Sequence, residues 1–200
     1  MPYKKIKDYV YDCLICQTPC DGKSKKVYLF ENDVIFAEKQ ENLIIKKLQT
    51  KGYDAHKCTR DSYPDIAIKK ENKIIQYLEV KAQRRTFMSI QRFLPNSKLT
   101  PSETVALNLS DLLRYFDIYK KDKIPISIIW VLQNRPCIVE DNKSKYFYQT
   151  IEVLQQIYNK NKYNRVFRRK TGKGDVVDGI HKGVVVNYHF SLRELKLWNI

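Results

Sequence analysis

The run Ile126–Gln133, ISIIWVLQ, restricts the fold more than any other part of the chain. It is almost wholly apolar and rich in β-branched residues, so as a strand it has no polar face to turn to water. Such a strand belongs inside a sheet that is covered on both sides. The rest of the chain must therefore supply two covering layers. Positions 33–50 read as one helix, because Phe36, Leu43, Ile44 and Leu48 recur near helical spacing. Asn32 or Asp33 can cap its start, Lys46 and Lys47 suit its C-terminal end, and Gly52 can stop it. Three strand candidates follow: Tyr53–Cys58, Asp65–Lys69 and Lys73–Lys81. The last two flank Lys70-Glu71-Asn72, a hairpin turn. Thr100-Pro101-Ser102-Glu103 has the form of a capping box at a helix start, and Ser110–Lys120 reads as a stronger helix. The order α-β-β-β-α-β predicts an α/β or α+β fold with a mixed central sheet.

A composition shift near Asn134-Arg135-Pro136 divides the chain. The expected organisation is an N-terminal extension at 1–32, a core at 33–133 and a C-terminal appendage at 134–200 for recognition or dimerisation. Within the appendage, Tyr146–Asn159 reads as a helix, Val184–His189 as a strand and Leu192–Leu197 as a short terminal helix.

Charge narrows the partner. Lys and Arg number 37 against 22 acids, a formal net of +15. That excess attracts polyanions, and nucleic acid gains most from it, because bound Lys and Arg release counterions from phosphates. A membrane surface would need a basic amphipathic helix with an exposed apolar face, and none is evident. The opening MPYKKIKDYVYD has no apolar run after its lysines, so it does not read as a signal peptide. The stretch Ile124–Leu132, broken by Pro125 and Ser127, is too short to span a bilayer. A soluble, cytoplasmic protein is expected, and an odd number of cysteines, five, suits a reducing compartment. The six glycines are too few for a Gly-rich phosphate loop, and Gly172-Lys173-Gly174-Asp175 reads as a turn. His56, His181 and His189 have no partner at ligand spacing, so histidine-based chemistry is not favoured.

The chemistry gathers at Pro64-Asp65 and Glu79-Val80-Lys81. Glu79 and Lys81 are two apart, so on a strand they share one face. With a three-residue turn, Lys69 pairs with Lys73 and Asp65 with Tyr77, which puts Asp65 on that same face. Asp65 and Glu79 then lie diagonally, roughly 7–8 Å apart at the backbone and within reach of one shared ion. A two-residue turn would flip one strand and separate them. Two carboxylates suit Mg²⁺, with Mn²⁺ as a substitute, and the Val80 carbonyl can supply a further oxygen. Lys81 can orient or deprotonate water and neutralise charge on phosphate; its protonation state is left open. Glu41 shares the inward helix face of Ile45 and Leu48, where an acid needs a partner. Glu38 is its rival one turn earlier. Against all this stands a plainer account, in which Asp65, Glu79 and Lys81 form a surface ion pair on an ordinary hairpin.

Glu41…Leu48…Gly52-Tyr53, then Tyr63-Pro64-Asp65-Ile66-Ala67-Ile68, then Leu78-Glu79-Val80-Lys81 together resemble the PD-(D/E)xK nuclease superfamily. That superfamily includes restriction endonucleases and archaeal-type Holliday junction resolvases. The resemblance covers 33 to 133 and implies a restriction-endonuclease-like core. It implies metal binding by Asp65 and Glu79, assistance to the nucleophile by Lys81, a helix acid at Glu41 and a supporting role for Gln83.

Two further groups stand out. Cys13, Cys16 and Cys20, with Cys58 as a fourth ligand, have partly zinc-like spacing; three free thiols are the preferred account. Arg84, Arg85, Arg92 and Lys98 follow the catalytic strand, and Arg165, Arg168, Arg169 and Lys170 lie in an acid-free stretch interleaved with Tyr158, Tyr163 and Phe167. Both sets suit contact with nucleic acid. The expected activity is Mg²⁺-dependent endonucleolytic cleavage of DNA, as in a type II restriction endonuclease. A homodimer is natural, since two strands need two cuts. The alternatives are a structure-selective junction resolvase and a non-catalytic DNA-binding protein.

Overall fold

The computed structural model describes residues 5–6, 10–11, 30–84, 86–87, 89–133, 135, 137–140, 143–168, 176–177, 180–181 and 186–199. A short hairpin of β1 (Lys5–Ile6) and β2 (Val10–Tyr11) precedes α1 (Phe30–Thr50). The helix starts earlier than Asn32 or Asp33, so neither caps it. It ends as the glycine requires: Gly52 has φ +86°, its N–H donates to Gln49 at 2.9 Å, and Tyr53 N–H donates to Leu48 at 3.1 Å.

β3 (Asp54–Lys57), β4 (Ile66–Lys70) and β5 (Lys73–Gln83) form an antiparallel meander. After α2 (Ile90–Phe93) come β6 (Thr104–Asn108), α3 (Leu109–Asp122) and β7 (Ile126–Leu132). The core thus has the expected α-β-β-β-α-β order, with α2 and β6 inserted before its second helix. β7 lies parallel to β5, which makes the sheet mixed. All seven residues of β7 are buried, for the reason visible in its composition. Ile126, Ile128, Trp130 and Leu132 enter a cluster with α3, whereas Ile129 and Val131 enter one with Ile44 and Leu48 of α1.

The segment after 134 adds β8 (Lys145–Thr150), α4 (Ile151–Asn161), β9 (Val166–Arg168), β10 (Val176–Val177), β11 (Ile180–His181), β12 (Val186–Ser191) and β13 (Lys196–Leu197). The main sheet has the order β13-β8-β7-β5-β4-β3, and β6-β12-β9 forms a second, antiparallel sheet. Phe147, Ile151, Leu154, Tyr188 and Phe190 share one core cluster with Trp130.

Three local expectations are corrected. Thr100–Glu103 does not cap a helix: Thr100 Oγ1 bonds Glu103 Oε2 at 2.9 Å, and the β-branched residues that follow pair with β12. Residues 146–150 are strand, because their alternation buries Phe147 and Gln149 against β7; the helix begins only at Ile151. Leu192–Leu197 is a 3₁₀ turn followed by β13, closed by a capping box between Ser191 and Glu194. Among the described residues, no helix is long and apolar enough to cross a membrane.

The hairpin register also differs. The turn is Glu71-Asn72 alone, both at positive φ, with Lys70 opposite Lys73. A bulge then shifts the ladder: Lys69 pairs with Ile74, but Ile68 pairs with Gln76, leaving Ile75 as the extra residue, 45% exposed. The two departures cancel in facing. Ala67 pairs with Tyr77 and Ile66 with Leu78, so Asp65 continues the ladder opposite Glu79 rather than Tyr77.

Candidate active site

Side chains alternate along β5, so Tyr77, Glu79 and Lys81 share the face that packs toward α3. Asp65 joins that face where β4 begins. The loop before it is anchored: Tyr63 Oη donates to Asp122 at 2.7 Å, its ring lies 5.3 Å from that of Tyr77, and Arg60 stacks 3.7 Å over it while donating to Tyr77 Oη at 2.9 Å. Asp65 Oδ2 accepts from Val80 N–H at 2.8 Å. The N–H and C=O of a strand residue point to the same edge, so the Val80 carbonyl also faces the edge where β4 has just begun.

Glu79 is buried, with its side chain 3% exposed. Its Oε1 meets Lys81 Nζ at 2.5 Å, while Oε2 is buried without a hydrogen-bond partner. Lys81 is 31% exposed at the mouth of the site and lies 3.6 Å from Asp111 at the start of α3. Arg114 donates to Asp111 at 2.9 Å, and the Tyr115 hydroxyl sits against Glu79. Glu41 reaches in from α1, 15% exposed and 3.6 Å from Lys57, whereas Glu38 is exposed. Glu41 is close enough for its charge to act on Asp65 and to feel Glu79.

The electrostatics follow from burial. Burial raises the Asp65 carboxyl above its ordinary range, and the nearby Glu41 charge adds to this against the Val80 N–H and Lys81. Burial likewise raises Glu79, with Lys81 opposing and Asp65 adding. Glu41 is raised by burial too, and Lys57 only partly offsets it. For Lys81, burial disfavours the charge, but Glu79, Asp111 and Asp65 outweigh it and hold the amine well above its usual value, protonated. Three desolvated acids thus gather around Lys81, with Lys57 beside Glu41 at the edge. The donor set fits a hard divalent ion. Among the described residues no three His, Cys, Asp or Glu side chains form a ready cage, but Mg²⁺ takes one or two protein carboxylates and keeps several waters. The unpartnered Glu79 Oε2 beside Asp65 is the atom such an ion would satisfy.

Other expected residues lie as follows. Gln83 clamps β6, donating to Ala106 O at 2.6 Å and accepting from Ala106 N at 3.2 Å. Arg84 is turned onto α1, bonded to Asp33 with Nε at 3.0 Å. Arg165 is buried and ion-paired to Glu194 at 2.5 Å, so it faces inward rather than toward a ligand. Arg92, Lys98 and Arg168 are exposed. Arg85, Arg169, Lys170, Cys13, Cys16, Cys20 and the turn 172–175 lie outside the described residues. Cys58 is a free thiol, half-buried. Sequence reasoning missed Asp111 and Tyr115. Their spacing of four on a helix, beside Arg114, was a signal for one shared face, but not for which strand that face would meet.

No protein-family model and no curated protein matches the chain. Several solved structures resemble it, two of them as follows. One is Hjc, a Holliday junction resolvase from the archaeal hyperthermophile Archaeoglobus fulgidus, at 10% identity over 79% of this chain and 85% of that one, with a TM-score of 0.42. The other is a nuclease from a fusselovirus, at 11% identity over 85% of this chain and 88% of that one, with a TM-score of 0.41.

Proposed function

We propose that the chain is a Mg²⁺-dependent nuclease of the PD-(D/E)xK type, able to use Mn²⁺, that hydrolyses phosphodiester bonds in DNA. The observation that carries this is the convergence of Asp65, Glu79 and Lys81 on one face, with a buried carboxylate oxygen of Glu79 left unpartnered. Asp65 and Glu79 would hold the ion, with the Val80 carbonyl at the same edge and Glu41 as an outer acid. Bound there, the ion supplies Lewis acidity toward phosphate and water. The chain's own residues do the rest. The carboxylates around Lys81 favour its charged form, so it serves as a charge at the mouth, drawing the phosphate in and offsetting negative charge that builds on it. Asp111 and Glu79 hold its amine in place. Asp65, fixed by the Val80 N–H, keeps one carboxylate oxygen directed along the strand edge.

A structure-selective enzyme, such as a junction resolvase, is favoured over a restriction endonuclease by one observation. β8, α4 and β12 build the core around Trp130 instead of standing apart as a sequence-reading unit. A homodimer acting within the cytoplasm suits either substrate, since each chain carries one site for two strands.

Purified protein incubated with duplex, four-way-junction and single-stranded DNA tests this. Cleavage with Mg²⁺ that stops on chelation is expected, fastest on the junction. Asp65→Ala is expected to cut at least about a hundredfold more slowly with its fold intact. Full activity in that variant would remove the site assignment.

A further inference from the structure

Beyond the candidate active site lies a surface that the cleavage chemistry does not use. α2 and the turn after it run from Ile90 to Lys98, and no acid occurs between Lys81 and Glu103. Phe93 is 50% exposed, yet it stacks on Phe167 of β9 with ring centroids 4.7 Å apart and planes at 29°. The turn 162–165 touches 95–97, and its Tyr163 is 86% exposed. Arg92 stands 5.9 Å from the Phe93 ring centroid. Lys98 and Lys162 are also exposed, and among the described residues none of these three cations is ion-paired. Large aromatic rings left in water cost free energy that a stacked partner would recover.

The patch is near the helix that contributes Asp111 to the candidate site. Phe167 pairs with Asn187, which pairs with Asn108, the N-cap of α3. Two strand spacings, about 10 Å, therefore separate β9 from the helix start. The first turn of that helix places Asp111 on Lys81.

We infer that Phe93, Phe167 and Tyr163, flanked by Arg92, Lys98 and Lys162, form a binding surface for unpaired DNA bases next to the cleavage site. Rings offer a stacking platform to any base, and the cations follow the backbone. This rests on the nuclease function proposed above and adds to it a substrate feature: nucleotides unpaired beside the scissile phosphate, such as those that open at a branch point. Paired bases present no free face, so a perfect duplex gains the cations but not the rings.

Binding measured in chelator separates this from catalysis. The full chain is titrated against a fluorescent 20-nucleotide single strand and against a blunt duplex, by anisotropy. Phe93→Ala is expected to weaken single-strand binding roughly tenfold while duplex affinity changes by less than about twofold. Phe93→Trp is expected to restore single-strand binding, which a merely structural role for Phe93 would not allow. Unchanged single-strand affinity in Phe93→Ala, or an equal loss on both DNAs that Trp does not restore, would overturn the proposal. Cleavage assays on the same proteins report on the nuclease function independently. A chain that never cuts but shows the Phe93 effect would lose that function and keep the surface.

Discussion

At the scale of single residues, the site is a contest between burial and charge. Glu79 is enclosed more tightly than a lone carboxylate tolerates, and Lys81 is its only cation at ion-pair distance among the described residues. Lys81→Ala should therefore do two things. Cleavage should fall by about a hundredfold or more, through loss of the charge at the mouth. Stability at pH 8 should fall by about 1–3 kcal/mol, as in other cases where a buried charged group loses its partner. The sign with pH is fixed. Without Lys81, the Glu79 carboxyl is raised further in the folded state, so the penalty is present above that raised value and disappears as acid protonates it. Denaturant melts at pH 8 and pH 5 should show a smaller deficit at pH 5. His189 behaves in the opposite sense. It is buried, its Nδ1–H donates to the Arg165 carbonyl at 3.2 Å, and burial lowers it from 6.5 to about 4. Its contribution is complete above pH 6.5 and is lost as pH falls through about 4, up to about 3 kcal/mol in all. His189→Asn, which keeps a donor but cannot titrate, should flatten that slope in the same melts.

At the scale of elements, the sequence disclosed what depends on local pattern and hid what depends on distant partners. The β-branched run at 126–132, the glycine after α1 and the two-residue spacing of Glu79 and Lys81 were legible because each constrains its own backbone. Thr100–Glu103 misled because a capping box is a local signal, whereas the choice between helix and strand was made by β12, some eighty residues away. Residues 146–150 misled because the helical pattern of 151–161 runs backward into an aromatic strand that its distant partners β7 and β13 specify. The hairpin was legible in its faces but not its register, since a two-residue turn and the bulge at Ile75 replace the three-residue turn that was expected. That turn offers a test. Glu71 and Asn72 both hold positive φ, which neither side chain favours as glycine does. Replacing the pair by Asn-Gly should raise stability by about 0.5–1 kcal/mol and leave the ladder beyond the bulge unchanged, as thermal melts and cleavage rates can show.

At the scale of the whole molecule, a parallel β5–β7 pair buried on both faces needs covering layers from both halves of the chain. Asp111 and Tyr115 escaped notice for the same reason: their partners on β5 are defined only once α3 is laid across the sheet. Because Phe147, Leu154, Tyr188 and Phe190 surround Trp130, a chain truncated at residue 140 should lose its near-ultraviolet circular dichroism and its cooperative melt. An independent appendage could be removed without either loss. The net charge of +15 should make DNA affinity fall steeply between about 50 and 200 mM salt, in proportion to the phosphates neutralised.

The most direct test of the site is calorimetric titration of Mn²⁺ into the full chain and into Asp65→Asn and Glu79→Gln, each checked for folding by circular dichroism. Saturable Mn²⁺ binding is predicted in the parent at pH 8, weakened at least about tenfold in both variants, because both carboxylates face the same ion. Equal binding in all three proteins, or none in the parent, would contradict a metal centre at Asp65 and Glu79.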